Sequence, residues 1–250
     1  MSTLHVSRWL LGLLLAVSVG CSDSPAPEKK ADSSPVDPAN VGRIAARVTY
    51  SGEVPAPKPI VMSSAPQCAL GHEEPVYEQS LLVENGRVRN VIVWIEKGLE
   101  KYAFAVPSAP LVIDQKGCIY EPHVAVAMVG QAVEFRNSDT EAHNVHGFPS
   151  ALSAWNFILS RKGASRTITF DRPEVGVRVG CDIHPWMRGY LGVTDHPHAA
   201  VTGADGSVSL DDVPAGELTV SAWHETLGKQ TKQVTLAPKG SVEVEFAFAK

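Results

Sequence analysis

The segment VGCDIHPWMRGYLGV, residues 179–193, places a cysteine, a histidine and a methionine at positions 181, 184 and 187. Each lies three residues from the next, inside an apolar segment that otherwise reads as strand. Thiolate, imidazole and thioether are the soft and borderline ligands that copper favours. The spacing therefore predicts most of a metal site, with Cys181, His184 and Met187 as ligands, and another part of the chain must supply the missing ligand.

The composition sets the broad class of the protein. A chain of 250 residues exceeds the usual length of one domain, and an apolar content of 44% is enough for hydrophobic cores. The formal net charge is -5 and no block of like charge is present, so nothing attracts the chain to nucleic acid or to an anionic membrane surface. We expect one medium domain and one small domain, with no nucleic-acid partner.

The N-terminal sequence MSTLHVSRWLLGLLLAVSVGC has one arginine, an apolar run over residues 9–19, and then Gly20-Cys21. The run is too short to span a bilayer comfortably and is typical of a cleaved secretory signal, here residues 1–20. SVGC resembles a bacterial lipobox, in which the cysteine carries lipid, although Ser18 stands where a larger aliphatic residue is usual. We expect a lipid anchor on Cys21; the alternative is an ordinary signal peptide cleaved nearby.

Either form of processing predicts an exported protein of the bacterial periplasm or cell envelope. Residues 22–40 contain four prolines, many charges and almost no apolar side chains, so the region 21–40 is predicted to be a disordered tether. An oxidising compartment also favours a disulfide between the two cysteines not yet assigned, Cys68 and Cys118. Two free buried thiols are the alternative.

The rest of the chain consists of short alternating or β-branched runs separated by turn residues, such as Asn85-Gly86 and Val129-Gly130. Helical periodicity is nearly absent, and the only candidates are residues 98–104 and 151–160. This pattern predicts an all-β fold, with an antiparallel β-sandwich as its main domain over residues 41–195.

A smaller module is predicted over residues 196–250, where three further alternating strands follow Asp195. TGADGSVSLDDVPAGELTVSAWHE resembles the carboxypeptidase regulatory-like, transthyretin-like module, which is a small β-sandwich without catalysis of its own. The segment is short for an independent sandwich, so we expect it to dock on the larger domain or to borrow a strand, and residues 43–50 are the candidate strand.

The missing ligand is best sought in VEFRNSDTEAHNVHG, residues 133–147, where a strand is followed by a polar turn and then by His143-Asn144. Here the sequence resembles the cupredoxins, the blue copper proteins, and CDIHPWMRG resembles the short ligand loop of amicyanin. The resemblance covers roughly residues 90–195 and implies a Greek-key β-sandwich that binds one type 1 copper ion. Carried over residue by residue, it assigns His143, Cys181, His184 and Met187 to copper.

The resemblance also implies roles for neighbouring residues. Asn144 would restrain the ligand loop by hydrogen bonding, and the edge of His184 would reach the surface in an apolar patch with Trp186 and Phe148. A core position is an equal alternative for Trp186. His146 competes with His143 as a ligand, but in a strand the two side chains point to opposite faces, and the asparagine neighbour favours His143.

The expected function is that of a mononuclear blue copper protein that carries single electrons between redox partners such as cytochromes or dehydrogenases. An enzyme is a weaker interpretation, because copper oxidases and nitrite reductases add further histidine ligands. The only H-x-H pair in this sequence is His196-Pro197-His198. The remaining alternatives are a binding or structural lipoprotein of the envelope and a copper carrier, in which the metal is not used for electron transfer.

Overall fold

The computed structural model describes residues 34–249 and, apart from these, Met1. The predicted signal peptide, Cys21 and most of the tether lie outside the described residues. Among the residues that are described, no helix is long and apolar enough to cross a membrane.

Regular structure in the described part of the chain is almost entirely β, so the prediction of an all-β fold is confirmed. A 3-10 helix (Pro38–Asn40) and one short helix, α1 (Pro66–Leu70), are the only helical elements there. The strands are β1 (Val41–Tyr50), β2 (Val83–Glu84), β3 (Arg87–Val88), β4 (Ile92–Lys97), β5 (Leu111–Lys116), β6 (Ile119–Glu121), β7 (Val124–Met128), β8 (Val133–Asn137), β9 (His143–Phe148), β10 (Trp155–Leu159), β11 (Ser165–Ile168), β12 (Glu174–Gly180), β13 (Arg188–Thr194), β14 (Ala199–Val201), β15 (Ser207–Pro214), β16 (Gly216–His224), β17 (Gly228–Leu236) and β18 (Ser241–Phe248).

Neither helix candidate from the sequence forms a helix. Residues 98–104 form an irregular segment with turns and one isolated β-bridge at Tyr102, and the segment 151–160 contains strand β10 instead. Phe157 and Leu159 are buried while Asn156 and Ile158 are exposed, which is the period of two that a strand with one buried face requires. The apolar residues of this segment therefore follow the strand period.

The first β-sandwich has two sheets packed face to face. One sheet has the strand order β10-β9-β12-β13-β7 and the other the order β11-β8-β5-β6. Most neighbours are antiparallel, but β7 runs parallel to β13 and β5 runs parallel to β8. Alternate residues of both sheets form one apolar core, in which Phe135, Val145 and Leu191 are fully buried. One end of this core carries the predicted ligands.

The second sandwich combines strands from both ends of the described chain. Strand β1 pairs antiparallel with β15 and parallel with β18, and β4 pairs with β14 and β16. Strand β1 thus includes the candidate borrowed strand, residues 43–50, and lies between two C-terminal strands. The sheets are therefore not divided at one point of the sequence between residues 195 and 196, because residues 41–50 and 83–97 share sheets with the C-terminal strands.

The two sandwiches pack against each other through a third apolar cluster. Ile92 and Trp94 of β4 contact Val124 of β7, and Tyr190 and Trp223 flank them. The ring centroids of Tyr190 and Trp223 lie 5.3 Å apart. Strand β13, which follows the predicted ligand loop, therefore has one face in the first core and the other face against the second sandwich. This double packing fixes the strand at which the loop ends.

The C-terminal strands are predicted to contribute to the stability of the whole unit. Phe246 on β18 is fully buried in the second core, so Phe246→Ala should lower the free energy of unfolding by about 3 to 5 kcal/mol. Glu243→Ala, on the exposed face of the same strand, should change it by less than about 0.5 kcal/mol. Urea unfolding of both variants measures this difference. Equal midpoints for the two variants would contradict the arrangement.

Candidate metal centre

The loop between β12 and β13 holds three of the predicted ligands in a tight turn. Gly180 pairs with Arg188 at its base. Inside the loop the backbone N–H of Met187 donates to the carbonyl of His184 at 2.9 Å, and the N–H of Cys181 donates to the carbonyl of Met187 at 3.3 Å. Because each ligand position is tied to another by the backbone, the loop has one compact conformation.

Strand β9 brings His143 to this loop. The strand pairs with β12, and His143 at its first position is fully buried. Its Nδ1 lies 3.0 Å from Nδ1 of His184, and Sγ of Cys181 lies 3.9 Å from the same His184 atom. The ligand atoms of these three residues all lie within 4.8 Å of one another. Met187 is buried at the end of the loop in the same apolar core.

Asp139 orients His143 and was not predicted from the sequence. Its Oδ2 accepts a hydrogen bond from Nε2 of His143 at 2.9 Å, and its two oxygens accept from the backbone N–H groups of Gly117 and Cys118 at 2.6 and 2.8 Å. A carboxylate on one imidazole nitrogen fixes the tautomer and leaves the other nitrogen to bind a cation. The only sequence signal is the acidic residue in the turn before the histidine.

The electrostatics of the cluster favour a thiolate at Cys181. Burial alone would raise the pKa of Cys181, but hydrogen bonds from His143 and from the backbone N–H groups of Asn144, His184 and Ile183 hold it below its usual value. Burial alone would lower the pKa of His143, yet Asp139 and Cys181 together raise it to about 9. The thiolate is the form of cysteine that binds metals, so the protein prepares this ligand in advance.

Asn144 and Asp182 connect the strand of His143 to the loop of Cys181. The side-chain oxygen of Asn144 accepts from the backbone N–H of Asp182 at 2.6 Å, and its amide nitrogen donates to the Asp182 carboxylate at 2.8 Å. The same carboxylate accepts from Asn156 at 3.0 Å. These hydrogen bonds join β9 to the ligand loop at the residue after Cys181.

Tyr120 was also not predicted as a site residue, although it contacts both β9 and β12 beside the ligands. Its buried hydroxyl lies 2.9 Å from the carbonyl of Gly180 and 3.2 Å from the carbonyl of Asn144. Gln115 donates to the same hydroxyl at 3.2 Å. Because Gly180 precedes Cys181 and Asn144 follows His143, this contact holds the two ligand-bearing strands in register.

The histidines outside the cluster have other partners. His146 points away from the core, and its Nδ1 donates a hydrogen bond to the Asp182 carboxylate at 3.0 Å. His123 contacts Glu225 at 2.5 Å, and His196 contacts the carbonyl of Ile95 at 2.7 Å. Neither His196 nor His198 belongs to any cluster of metal-ligating side chains found among the described residues. The H-x-H pair thus supports no second metal site there.

His184 does not reach the surface, unlike the expectation drawn from the family resemblance. It is only 4% exposed, because the segment 51–82, hereafter the cover, lies over its outer edge. Helix α1 of the cover carries Cys68, which forms a disulfide with Cys118 and lies 3.6 Å from Nε2 of His184. Trp186 is half-buried beside the same ring and donates its indole N–H to the carbonyl of Cys118 at 3.1 Å.

The donor set of the cluster fits copper. Two imidazole nitrogens 3.0 Å apart repel each other unless a proton lies between them or one cation binds both. Two imidazoles, one thiolate and a weak thioether are the ligand set of a blue copper site. His143, Cys181 and His184 would hold the ion, and Met187 would supply the thioether.

Comparison with known proteins finds similarity among solved structures. No protein-family model and no curated protein matches the chain. A copper-containing nitrite reductase from Thermus scotoductus SA-01 is 26% identical, with 36% of this chain and 23% of that chain covered and a TM-score of 0.33. A purple cupredoxin from Nitrosopumilus maritimus is 22% identical over 34% of this chain and 99% of that chain, with a TM-score of 0.29.

A mutant of amicyanin is 26% identical over 40% of this chain and 97% of that chain, with a TM-score of 0.31. The chain thus spans about a quarter of the nitrite reductase and nearly all of the two small proteins. All three TM-scores are below 0.5, so the assignment of the site rests on its own residues and contacts. The two-sheet sandwich of residues 111–194 agrees with the cupredoxin-like fold expected from the sequence.

Replacing Asp139 tests its role in orienting His143. Asp139→Asn removes the charge that fixes the imidazole, so copper affinity should fall by about 10-fold to 100-fold. Glu141→Gln, which removes a carboxylate from the same turn, should leave the affinity within about twofold. Competition with a chromogenic copper chelator measures both variants, and equal affinities for the two would contradict the proposed role.

Proposed function

We propose that this protein binds one copper ion as a type 1 centre and carries single electrons. The observation that carries the proposal is the convergence of His143, Cys181 and His184, whose ligand atoms lie within 4.8 Å of one another in the interior of the first sandwich. The donor set matches what both Cu(I) and Cu(II) accept. Copper bound there would supply a one-electron couple, and the chain would supply a fixed and dry environment.

The residues around the cluster support electron transfer because they resist movement. The loop of Cys181 is tied to β9 through Asn144 and to β6 through Tyr120, and His143 is tied to Asp139. Such a network imposes one ligand geometry on both oxidation states, so little has to rearrange when an electron arrives. It also keeps the proton of His143 on Nε2, so that Nδ1, which faces the site, can bind a cation.

Burial favours an electron carrier over a catalyst. His143 is fully buried and Cys181 is 4% exposed, so a substrate has no direct approach to these two ligands. An electron, in contrast, can reach the centre through packed side chains such as Trp186, whose ring centroid lies 5.2 Å from that of His184. The cover and Trp186 thus define the side from which we expect electrons to enter and leave.

The cellular setting is part of the same proposal and depends on the sequence. The N-terminal pattern favours export to the bacterial periplasm or cell envelope, with a lipid anchor at Cys21. Electron-carrying partners would then be exported redox proteins such as cytochromes or dehydrogenases. The second sandwich, which resembles a carboxypeptidase regulatory-like module in sequence, would serve as a support and not as a catalytic unit.

The visible absorption spectrum of the full-length protein after addition of Cu(II) tests the proposal. We expect an intense thiolate-to-copper charge-transfer band that ascorbate bleaches reversibly, and we expect Cys181→Ser to lack it. Glu243→Ala serves as a control that should keep the band, because this exposed residue of the second sandwich touches none of the ligands. A colourless protein, or a band that survives in Cys181→Ser, would refute the type 1 assignment.

A further inference from the structure

The disulfide between Cys68 and Cys118 lies against the one edge of His184 that faces away from the proposed copper centre. Nδ1 of His184 faces His143 and Cys181, whereas Nε2 lies 3.6 Å from Sγ of Cys68. The two disulfide sulfurs and Nε2 of His184 all lie within 4.8 Å of one another, and all three residues are buried. His184 therefore separates two clusters of soft ligand atoms.

The contact at Nε2 is weak in the disulfide form. When Nδ1 of an imidazole binds a cation or accepts a proton, Nε2 carries a proton and needs an acceptor. A disulfide sulfur is a poor acceptor. His184 is more than nine-tenths buried. Its Nε2 faces disulfide sulfurs that are poor hydrogen-bond acceptors. As thiolates, the same sulfurs would be strong soft metal ligands.

The cover is held beside the first sandwich by more than the disulfide. Among the residues that the structure describes, the disulfide is the covalent link between the cover and the first sandwich. Non-covalent contacts also join the two: the His72 ring of the cover lies 2.6 Å from the carbonyl of Gly117, and Met62 of the cover is buried in the core of the first sandwich. These contacts keep Cys68 and Cys118 close to each other even without the bond between their sulfurs.

We propose that reduction of the Cys68–Cys118 disulfide creates a second soft-metal site, which binds Cu(I) through the two thiolates and Nε2 of His184. An external dithiol supplies two electrons and two protons: its own sulfurs form a disulfide, the bond between Cys68 and Cys118 breaks, and two thiols result. Binding of one Cu(I) then releases both thiol protons, and His184 binds as a neutral imidazole through Nε2 with its ring proton on Nδ1. Thiolates with one imidazole select Cu(I) over harder cations.

The second site shares His184 with the type 1 centre but uses neither His143 nor Cys181, so the two sites can be tested separately. The test uses full-length Cys181→Ser, in which the thiolate of the first centre is absent. The protein is reduced anaerobically with a dithiol, freed of it by gel filtration, and titrated with Cu(I) against a chromogenic Cu(I) chelator. The unreduced form of the same variant is the matched control.

We expect the reduced variant to bind one equivalent of Cu(I) at least tenfold more tightly than the unreduced variant. Cys181→Ser/Cys118→Ser should lose this gain, and Cys181→Ser/His143→Ala should keep it, because His143 belongs only to the first centre. Equal Cu(I) binding with and without the disulfide would overturn the proposal. Loss of the near-ultraviolet circular dichroism on reduction would overturn it too, since the site would then not belong to the folded protein.

Discussion

The pairing of β9 with β12 is the constraint on which the rest of the site depends. His143 and Cys181 lie far apart in the chain, and only this pairing, at Val179 with Gly147 and Gly180 with His146, brings them together. Side-chain hydrogen bonds from Asn144 to the ligand loop and from Tyr120 to Gly180 support the same register. A slip of one residue would turn His143 out of the core, because successive strand residues face opposite sides.

The rigidity of the ligand loop comes from packing on both faces of the sheet that carries it. Inside the first sandwich, Val179 and Leu191 anchor the strands before and after the loop in the main core. On the other face, Tyr190 contacts Trp223 of the second sandwich. Strand β1 connects this arrangement to the C-terminal strands, since it pairs with both β15 and β18. The second sandwich therefore stabilises a sheet that the first sandwich uses for its ligands.

Much of this was predictable because the signals were local. Alternation and turn residues indicated the all-β fold, and the three-residue spacing of Cys181, His184 and Met187 needed only a loop to bring these side chains near one another. The cover was not predictable, because its irregular sequence has no period and its position depends on long-range contacts at Cys118 and Trp186. The position of Asp139 likewise depends on distant residues, because the backbone N–H groups of Gly117 and Cys118 hold its carboxylate. The borrowed strand, in contrast, was expected at residues 43–50, because the C-terminal segment is short for an independent sandwich. The segment around β10 has apolar residues that suit either period.

The central claim is that His143, Cys181 and His184 hold copper in one geometry in both oxidation states. The most direct measurement is copper K-edge X-ray absorption on the copper-loaded full-length protein, first oxidised and then reduced with ascorbate. The account predicts two histidine nitrogens and one short sulfur ligand in both states, with nearly unchanged distances. A shell of nitrogen and oxygen without sulfur, or a ligand lost on reduction, would contradict it.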